Sequence, residues 1–241
     1  MEVRTSVIEK RLSKVKRVLS VASGKGGVGK SLVACSLALS LSKKGYKVGL
    51  LDLDLYGPSS HIILGVKKFE FPEEEKGILP YDINGIKFMS IVYFTEDKPA
   101  PLRGSDITNV IIELLAITRW EELDFLIIDM PPGIGDEVLD VINLVKKSEF
   151  LVITTPSKVA MGAVSKLLKI LKELKLPIVG VVENMKIKDS DFIKNQVGNF
   201  DVCYLGSIDF DRDIEDSIGN ISSLYSSNFI KQLDEFSLRI V

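Results

Sequence analysis

The chain is poor in the residues that build metal sites and disulfide frameworks, with two cysteines and one histidine among its 241 residues. Two cysteines are too few for a disulfide framework in a chain of this length. The single histidine, His61, has no cysteine or second histidine near it in the sequence, so it does not indicate a zinc site. We expect His61 to lie at the surface or to line the core.

Long apolar runs and an excess of positive charge are also absent. No run is long enough to span a bilayer, and residues 1–17 lack the apolar segment of a secretory signal. The formal net charge is −2, so the chain has no overall basic field for nucleic acid or for an anionic membrane. We therefore expect a cytoplasmic protein with neither nucleic acid nor a membrane among its partners.

The strongest positive signal lies between Val18 and Leu32, in the string VLSVASGKGGVGKSL. An apolar, strand-like start is followed by G-x-x-x-x-G-K-S and then by a helical pattern, which is the context of a phosphate-binding P-loop. Lys30 would reach the β- and γ-phosphates and Ser31 would bind Mg²⁺. A glycine-rich turn that only joins strand to helix is the alternative. The residues expected to hold ATP are Gly24, Lys25, Gly26, Gly27, Val28, Gly29, Lys30 and Ser31.

Buried strands alternate with helices along the rest of the chain. Strands are predicted over 18–23, 47–53, 86–92, 125–130, 150–155, 177–183 and 202–208, and helices over 31–44, 60–64, 105–118, 136–147 and 159–175 and near 211–218 and 229–236. This alternation predicts a doubly wound α/β fold, a mostly parallel sheet with helices on both faces, in a single P-loop ATPase domain over 1–241.

Three segments stand outside this alternation. We expect 67–82 to form a short hairpin or a surface excursion and 98–104 to form a proline-rich loop. The basic residues of 1–17 are expected to form a solvated N-terminal arm or the lip of the nucleotide face.

Polar side chains end three of the apolar strands, where ligands of parallel sheets bind. Asp129 closes FLIIDM in the manner of a Walker B acid that holds Mg²⁺, and Gly133 follows it as a candidate γ-phosphate sensor. Asp52 and Asp54 end a second strand, and Asn184 ends a third. A helix cap or turn remains the alternative for Asp129, and a solvated carboxylate for Asp52.

The loop GKGGVGKS, with Lys25 after its first glycine, resembles the deviant P-loop of the ATPases that include MinD, ParA, the arsenite-pump ATPase and the nitrogenase iron protein. The resemblance implies a homodimer that sandwiches ATP, with Lys25 reaching the partner's nucleotide. It also implies that Asp54 orients the attacking water and that Asp52 supports the metal, so that Lys25, Lys30 and Asp54 are the expected catalytic residues. A solvated loop charge is the alternative for Lys25.

Longer strings resemble, in order and spacing, the Mrp/ApbC-type iron–sulfur carrier ATPases: LLDLDLYGPS, RWEELDFLIIDMPPGIGDE, VITTPSKVA and PIVGVVENM. The resemblance covers the chain from Val18 to Ile218. It implies a slow ATPase that assists the assembly or delivery of iron–sulfur clusters, with an apoprotein or scaffold as partner. By the same resemblance Asn184 contacts the adenine beside the loop formed by Asp209, Phe210 and Asp211. A buried Asn that satisfies loop backbone is the alternative.

The chain departs from that family at its cysteines. The carriers place a C-x-x-C pair shortly after E-N-M, whereas this chain reads ENMKIKDSDFIKNQVGNF. A cluster normally requires four thiolates. Cys35 lies among apolar residues after the P-loop and Cys203 lies in the strand pattern VCYLGSI, so both are expected to be buried. We therefore expect no stable bridging iron–sulfur cluster on the isolated protein.

Two other function classes remain open. One is a MinD/ParA-like switch, in which ATP-driven dimerisation serves positioning or partitioning. The tail SSNFIKQLDEFSLRIV mixes acidic with basic residues, so the membrane-binding signal of such a switch is weak. The other is a regulatory ATP-binding subunit with little turnover.

Overall fold

The structure is a computed structural model that describes residues 2–68, 70–96, 98 and 104–240. Its strands are β1 Val15–Ser23, β2 Val48–Asp52, β3 Tyr81–Ile83, β4 Ile86–Ser90, β5 Leu123–Asp129, β6 Ser148–Thr154, β7 Ile178–Lys186 and β8 Tyr204–Asp209. Its α-helices are α1 Glu2–Leu12, α2 Lys30–Lys43, α3 Ser60–Ile63, α4 Val92–Thr95, α5 Ser105–Ile117, α6 Asp136–Leu144, α7 Lys158–Glu173, α8 Phe192–Gly198, α9 Ile221–Ser226 and α10 Asn228–Ser237, and a 3₁₀ turn spans Ile214–Ser217.

The eight strands form one sheet in the order β3-β4-β2-β5-β1-β6-β7-β8. Neighbouring strands are parallel, except that β3 runs antiparallel to β4. The predicted doubly wound, mostly parallel α/β fold is therefore confirmed. The chain extends the sheet to one side of β1 and later to the other, and ligands bind at the carboxyl ends of strands at such a change of direction.

The core explains why the strands were readable in the sequence. Helices cover both faces of the sheet, so β2 is buried along its whole length and β5 nearly so. Strands buried on both faces appear as continuous apolar runs. Packing is close enough that a Cβ at Gly49 of β2 would lie 2.9 Å from Trp120 and 2.7 Å from Leu123.

The amino-terminal segment is not the solvated arm or nucleotide-face lip that we expected. Residues Glu2–Leu12 form helix α1, in which Ile8 and Leu12 are buried. Lys147 donates to the carbonyls of Leu12 and Val15, at 2.5 and 2.6 Å. Strand β1 follows and begins at Val15, so helix α1 lies at the amino ends of the strands, whereas the P-loop follows the carboxyl end of β1. Two apolar residues one turn apart are enough to seat a helix whose other residues are mostly charged or polar.

Within the predicted 67–82 segment, the described residues carry an isolated antiparallel bridge between Glu74 and Ile78, and the regular hairpin lies just beyond it, over 81–90. Strands β3 and β4 are joined by Asn84 and Gly85, which both have positive φ, at 50° and 79°. Asn-Gly is the preferred pair for a tight hairpin turn of this kind. Of the predicted proline-rich loop, residues 99–103 lie outside the described residues. In the part of the chain that the structure describes, no helix is long and apolar enough to cross a membrane.

Candidate functional site

The glycine-rich loop connects β1 to α2 at the centre of the sheet. Gly27 and Gly29 have φ of 76° and 79°, a left-handed conformation that strongly favours glycine. Gly29 is the N-cap residue of α2, and no side chain caps that helix. The first N–H groups of an uncapped helix need an acceptor, and an anion at this point supplies one.

Neighbouring segments hold the base of this loop. A Cβ at Gly24 would lie 2.5 Å from the backbone of Ala163 in α7, so only glycine fits there. Ser23 Oγ donates to the carbonyl of Lys25 at 2.9 Å, and the N–H of Gly133 donates to the carbonyl of Ser23 at 3.0 Å. The side chain of Lys25 is exposed. The loop is thus rigid at its base and presents a cation at its tip.

Lys30 forms a buried ion pair beneath the loop. Its side chain is only 6% exposed, and Nζ donates to Oδ1 of the fully buried Asp129. Ser60 Oγ donates to the other carboxylate oxygen of Asp129 at 3.2 Å. The Lys30 ammonium also lies 3.5 Å from Ser31 Oγ. The predicted phosphate lysine and the predicted Walker B acid are therefore in direct contact.

A second buried carboxylate lies opposite the first. Asp52 of β2 pairs with Asp129 of β5 in the sheet, and both are almost inaccessible to solvent. Asp52 accepts from the N–H groups of Asp54 and Ser60, at 3.1 and 3.2 Å. Burial, reinforced by the charge of Asp129, raises the pKa of Asp52 to about 8.

With the pKa of Asp52 raised to about 8, the Lys30–Asp129 pair leaves the site electrically neutral near pH 7, and ionising Asp52 would leave it one positive charge short. A divalent cation compensates such a deficit, and carboxylate and hydroxyl oxygens suit Mg²⁺. Among the described residues no group of three or more His, Cys, Asp or Glu side chains is arranged to hold a metal ion. This donor set fits Mg²⁺ that keeps several waters and shares phosphate oxygens, with Ser31, Asp52 and Asp129 on the protein side.

Asp54 lies just beyond the end of β2. It is partly buried, and one carboxylate oxygen accepts from the N–H of Gly57 at 3.2 Å. Burial raises its pKa, while the charge of Lys30 acts in the opposite direction. Asp54 is thus within electrostatic reach of Lys30, and it contacts Asp52 through its backbone N–H and not through its carboxylate.

Asn184 touches the P-loop from the far side. Its Nδ2 donates to the carbonyl of Val28 at 2.8 Å, and a Cβ at Gly29 would lie 2.3 Å from the same nitrogen. Its Oδ1 is buried and has no hydrogen-bond partner among the described residues. The donor supports loop backbone, as the alternative interpretation requires. The vacant acceptor suits the exocyclic amine of adenine, so the predicted contact stays a prediction.

Asp209 and Asp211, predicted to lie beside the adenine, have other partners in the structure. Asp209 exchanges two hydrogen bonds with Gln232 of α10, both of 2.8 Å. Asp211 accepts from the N–H of Asp213 at 3.0 Å, which closes a local turn. A cleft of about 510 Å³ separates this loop from the segment after β7 and is lined by Lys186, Ile187, Lys188, Asp189, Asp209, Phe210 and Arg212. No pattern in the sequence indicates the contribution of Gln232.

The cysteines divide into one correct and one wrong prediction. Cys35 is buried as expected, and burial raises the pKa of its thiol. Cys203 is exposed, and the prediction of a core thiol is wrong. Its carbonyl accepts from Val181 of β7, but it precedes the last strand of the sheet, where one side of the backbone has no neighbouring strand. His61 is buried, in keeping with a residue that lines the core.

Comparison with known proteins agrees with this geometry. A family model described as ParA, NUBPL iron-transfer P-loop NTPase, matches residues 14–228. The iron-sulfur cluster carrier protein of Aquifex aeolicus is 40% identical over 220 residues, which cover 85% of this chain and 60% of that protein. The chain therefore spans less than two thirds of that relative's length.

Solved structures show the same fold. The nucleotide-binding protein of Archaeoglobus fulgidus, in complex with ADP, superposes with a TM-score of 0.81 at 29% identity, covering 95% of this chain and 96% of that one. The cell division ATPase MinD of Pyrococcus furiosus superposes with a TM-score of 0.71 at 22% identity, covering 94% and 98%. At 22% identity, the similarity to MinD shows a shared fold and nothing more.

Proposed function

The chain belongs to the ParA-type family of NUBPL iron-transfer P-loop NTPases, and we propose that it is a slow, dimeric ATPase that assists the assembly or delivery of iron–sulfur clusters. The observation that carries the proposal is the buried Lys30–Asp129 pair beneath an uncapped helix N-terminus. A relative named as an iron–sulfur cluster carrier, 40% identical, supports the assignment of the cargo.

Phosphate binding uses groups that are already in position. The N–H groups at the start of α2 face the anion, and Lys30 exchanges Asp129 for phosphate oxygens. The exchange frees Asp129, which together with Ser31 and Asp52 would hold Mg²⁺. The bound Mg²⁺ would neutralise charge that develops on the phosphate oxygens. Asn184 supports the loop through Val28 and offers its vacant oxygen to the base.

Hydrolysis requires a water aligned with the γ-phosphate, and Asp54 is the residue proposed to align it. Its carboxylate is held by a backbone N–H at the edge of the site and not by Lys30. A partly buried carboxylate with a raised pKa can accept a proton from water better than a fully solvated one. Gly133, hydrogen-bonded to the base of the P-loop, is proposed to sense the γ-phosphate.

Dimerisation is proposed to occur through the face that contains the P-loop, at the carboxyl ends of the strands. Lys25 is exposed at the tip of the P-loop. Four large apolar side chains that follow β2, β6, β7 and β8 are exposed on this face, namely Tyr56, Val159, Ile187 and Phe210. Exposed apolar groups around a charged site favour a protein partner. A second copy would cover them and bring Lys25 to the nucleotide of its partner.

The ligands of the cluster are proposed to come from an apoprotein or scaffold partner. Cys35 is buried, and Cys203 lies at the amino end of β8, away from the P-loop edge. Neither thiol of this chain can meet its counterpart across a dimer formed through the P-loop face. The role of ATP would then be to open and close a surface that the partner recognises.

A transfer assay with purified proteins tests the proposal. A cluster-loaded scaffold and an apo-acceptor are mixed with wild-type protein, with Lys30→Ala, or with Lys194→Ala, which alters an exposed lysine of α8. We expect ATP and Mg²⁺ to accelerate loading of the acceptor with the wild-type and Lys194→Ala proteins but not with Lys30→Ala. Equal rates with and without ATP in the wild type would contradict the proposal.

A further inference from the structure

The direction in which a bound nucleotide extends can be read from the surroundings of the P-loop. On the side of β5 and β2 the space beyond the strands is occupied by Asp52 and Asp129, which repel further negative charge and suit a cation. On the other side Asn184 of β7 reaches the loop with a vacant acceptor. The cleft between the loops after β7 and β8 opens there. A nucleoside attached to phosphates at α2 therefore extends toward β8.

The loop after β8 is fixed by one side chain. Gln232 Oε1 accepts from the N–H of Asp209, and Gln232 Nε2 donates to Oδ2 of Asp209, both at 2.8 Å. The amide group thus uses its donor and its acceptor on a single residue. Such a pair restrains both the backbone and the side chain of Asp209, and so the position of the neighbouring Phe210 in the cleft.

The helix that carries Gln232 is itself fastened to the P-loop helix. Asp234 accepts from Lys44 Nζ at 2.8 Å and from Ser40 Oγ at the end of α2. Phe236 packs against Gly206 of β8, where a Cβ would lie 2.8 Å from its ring. Helix α10 therefore links the helix that faces the phosphates to the loop that faces the nucleoside.

From these contacts we infer that Gln232 is a positioning residue for the base of the nucleotide. Gln232 acts by holding the Asp209–Asp211 loop at a fixed distance from the P-loop helix α2. The inference rests on the proposed binding of ATP. The hydrogen bonds of Gln232 go to Asp209 and not to the residues proposed to hold phosphate and Mg²⁺, so its influence should be confined to ligands that carry a nucleoside. Binding of the phosphate chain alone does not depend on it.

Titration calorimetry with two probes, Mg·ATP and Mg·tripolyphosphate, separates these contributions. Removing both hydrogen bonds in Gln232→Ala should weaken Mg·ATP binding by about tenfold. Tripolyphosphate binding should stay within about twofold of wild type, since it occupies only the phosphate cradle. In steady state the KM for ATP should rise while kcat stays unchanged. The matched control is Gln196→Ala, which removes the other, similarly half-buried glutamine.

A paired exchange tests the mechanism of the effect. Gln232→Glu places two carboxylates together and should weaken ATP binding at least as much as the alanine variant. Adding Asp209→Asn restores complementarity, because the new amide at position 209 can donate to the new carboxylate at position 232. The double variant should recover ATP affinity to within about twofold of wild type.

The outcomes distinguish this inference from the proposed function. Unchanged ATP affinity in Gln232→Ala, an equal loss for ATP and tripolyphosphate, or a double variant as weak as Gln232→Glu would each overturn the positioning role. Failure of the wild-type protein to bind either probe would instead overturn the proposed ATP binding itself.

Discussion

In the proposed mechanism Lys30 has two roles that exclude each other, as the ion-pair partner of Asp129 and as a ligand of phosphate. In the structure its ammonium neutralises Asp129, and both side chains are buried. Breaking such a pair leaves an uncompensated buried charge, which costs about 3–5 kcal/mol. On nucleotide binding, phosphate would take the place of Asp129 beside Lys30, and Mg²⁺ would compensate the charge of Asp129. The pair thus keeps the site electrically neutral without nucleotide. A nucleotide that arrives with its metal would leave neither Lys30 nor Asp129 as an uncompensated buried charge.

Asp54 differs from Asp129 because a backbone N–H, not Lys30, holds its carboxylate. It differs from Asp52 because it is only partly buried. Asp54→Asn keeps the shape of the side chain but removes its basicity, so we expect turnover to fall by about two orders of magnitude. Nucleotide affinity should change by no more than about twofold, because no contact with Lys30 is lost. Phosphate release and binding of a fluorescent ATP analogue measure the two effects. Unchanged turnover would remove Asp54 from the mechanism and leave Asp52 or Asp129 as the candidate.

The attachment of α10 to α2 makes a second prediction, on stability and pH. Burial alone would raise the pKa of Asp234, but hydrogen bonds from Lys44 and Ser40 outweigh it and hold the pKa below its ordinary value. A carboxylate with a lowered pKa stabilises the fold above its unfolded pKa, near 4, and loses that contribution as the pH falls through the folded value. Asp234→Asn should therefore cost about 1 kcal/mol at pH 7, a figure kept small because the carboxylate is partly exposed.

Chemical denaturation at several pH values measures this difference. The loss caused by Asp234→Asn should shrink below pH 4, where the wild-type carboxylate takes up a proton. Glu235→Gln, at the neighbouring exposed position of the same helix, should leave the free energy of unfolding unchanged at every pH. A loss that does not vary with pH would show that packing, and not the charge of Asp234, fastens the helix.

The elements that the sequence predicted are those whose burial leaves a continuous pattern. Strands β2 and β5 are covered on both faces and appear as uninterrupted apolar runs, and the P-loop glycines are required by their backbone conformation. Helix α1 was missed because its two buried residues, Ile8 and Leu12, are separated by charged residues and make no recognisable apolar stripe. Gln232 was missed because a polar residue on a helix carries no mark of the loop it will meet. Contacts distant in sequence leave no local pattern.

At the scale of the whole molecule, the proposed dimer would decide how many complete sites exist. If Lys25 acts across the interface, each site combines Asp54 of one protomer with Lys25 of the other. A heterodimer of Lys25→Ala with Asp54→Asn then holds one site with both residues intact and one with neither. Mixing the two inactive variants in equal amounts should recover about a quarter of wild-type turnover, given random pairing in a two-fold dimer.

Two tags on the variants verify that heterodimers form, and size-exclusion chromatography with and without ATP checks that closure depends on nucleotide. Lys25 acting within its own protomer predicts no recovery, because each site then lacks one residue. Absence of activity in demonstrated heterodimers would therefore contradict the proposed role of Lys25.

Cys203 is exposed, so burial no longer explains why this chain should hold no iron–sulfur cluster. The position of Cys203 in the proposed dimer supplies a different reason for the same expectation. Cys203 precedes β8, at the amino ends of the strands, whereas the P-loop lies at their carboxyl ends. In a dimer that forms through the P-loop face, the two copies of Cys203 therefore lie far apart, on the outer sides of the dimer. A bridging cluster requires thiolates that converge, and Cys35 is buried with a raised pKa. Anaerobic reconstitution of this chain with iron and sulfide should leave it colourless. A stoichiometric cluster per dimer that survives Cys35→Ser and is lost in Cys203→Ser would contradict this, and would place the dimer interface at the β8 edge instead.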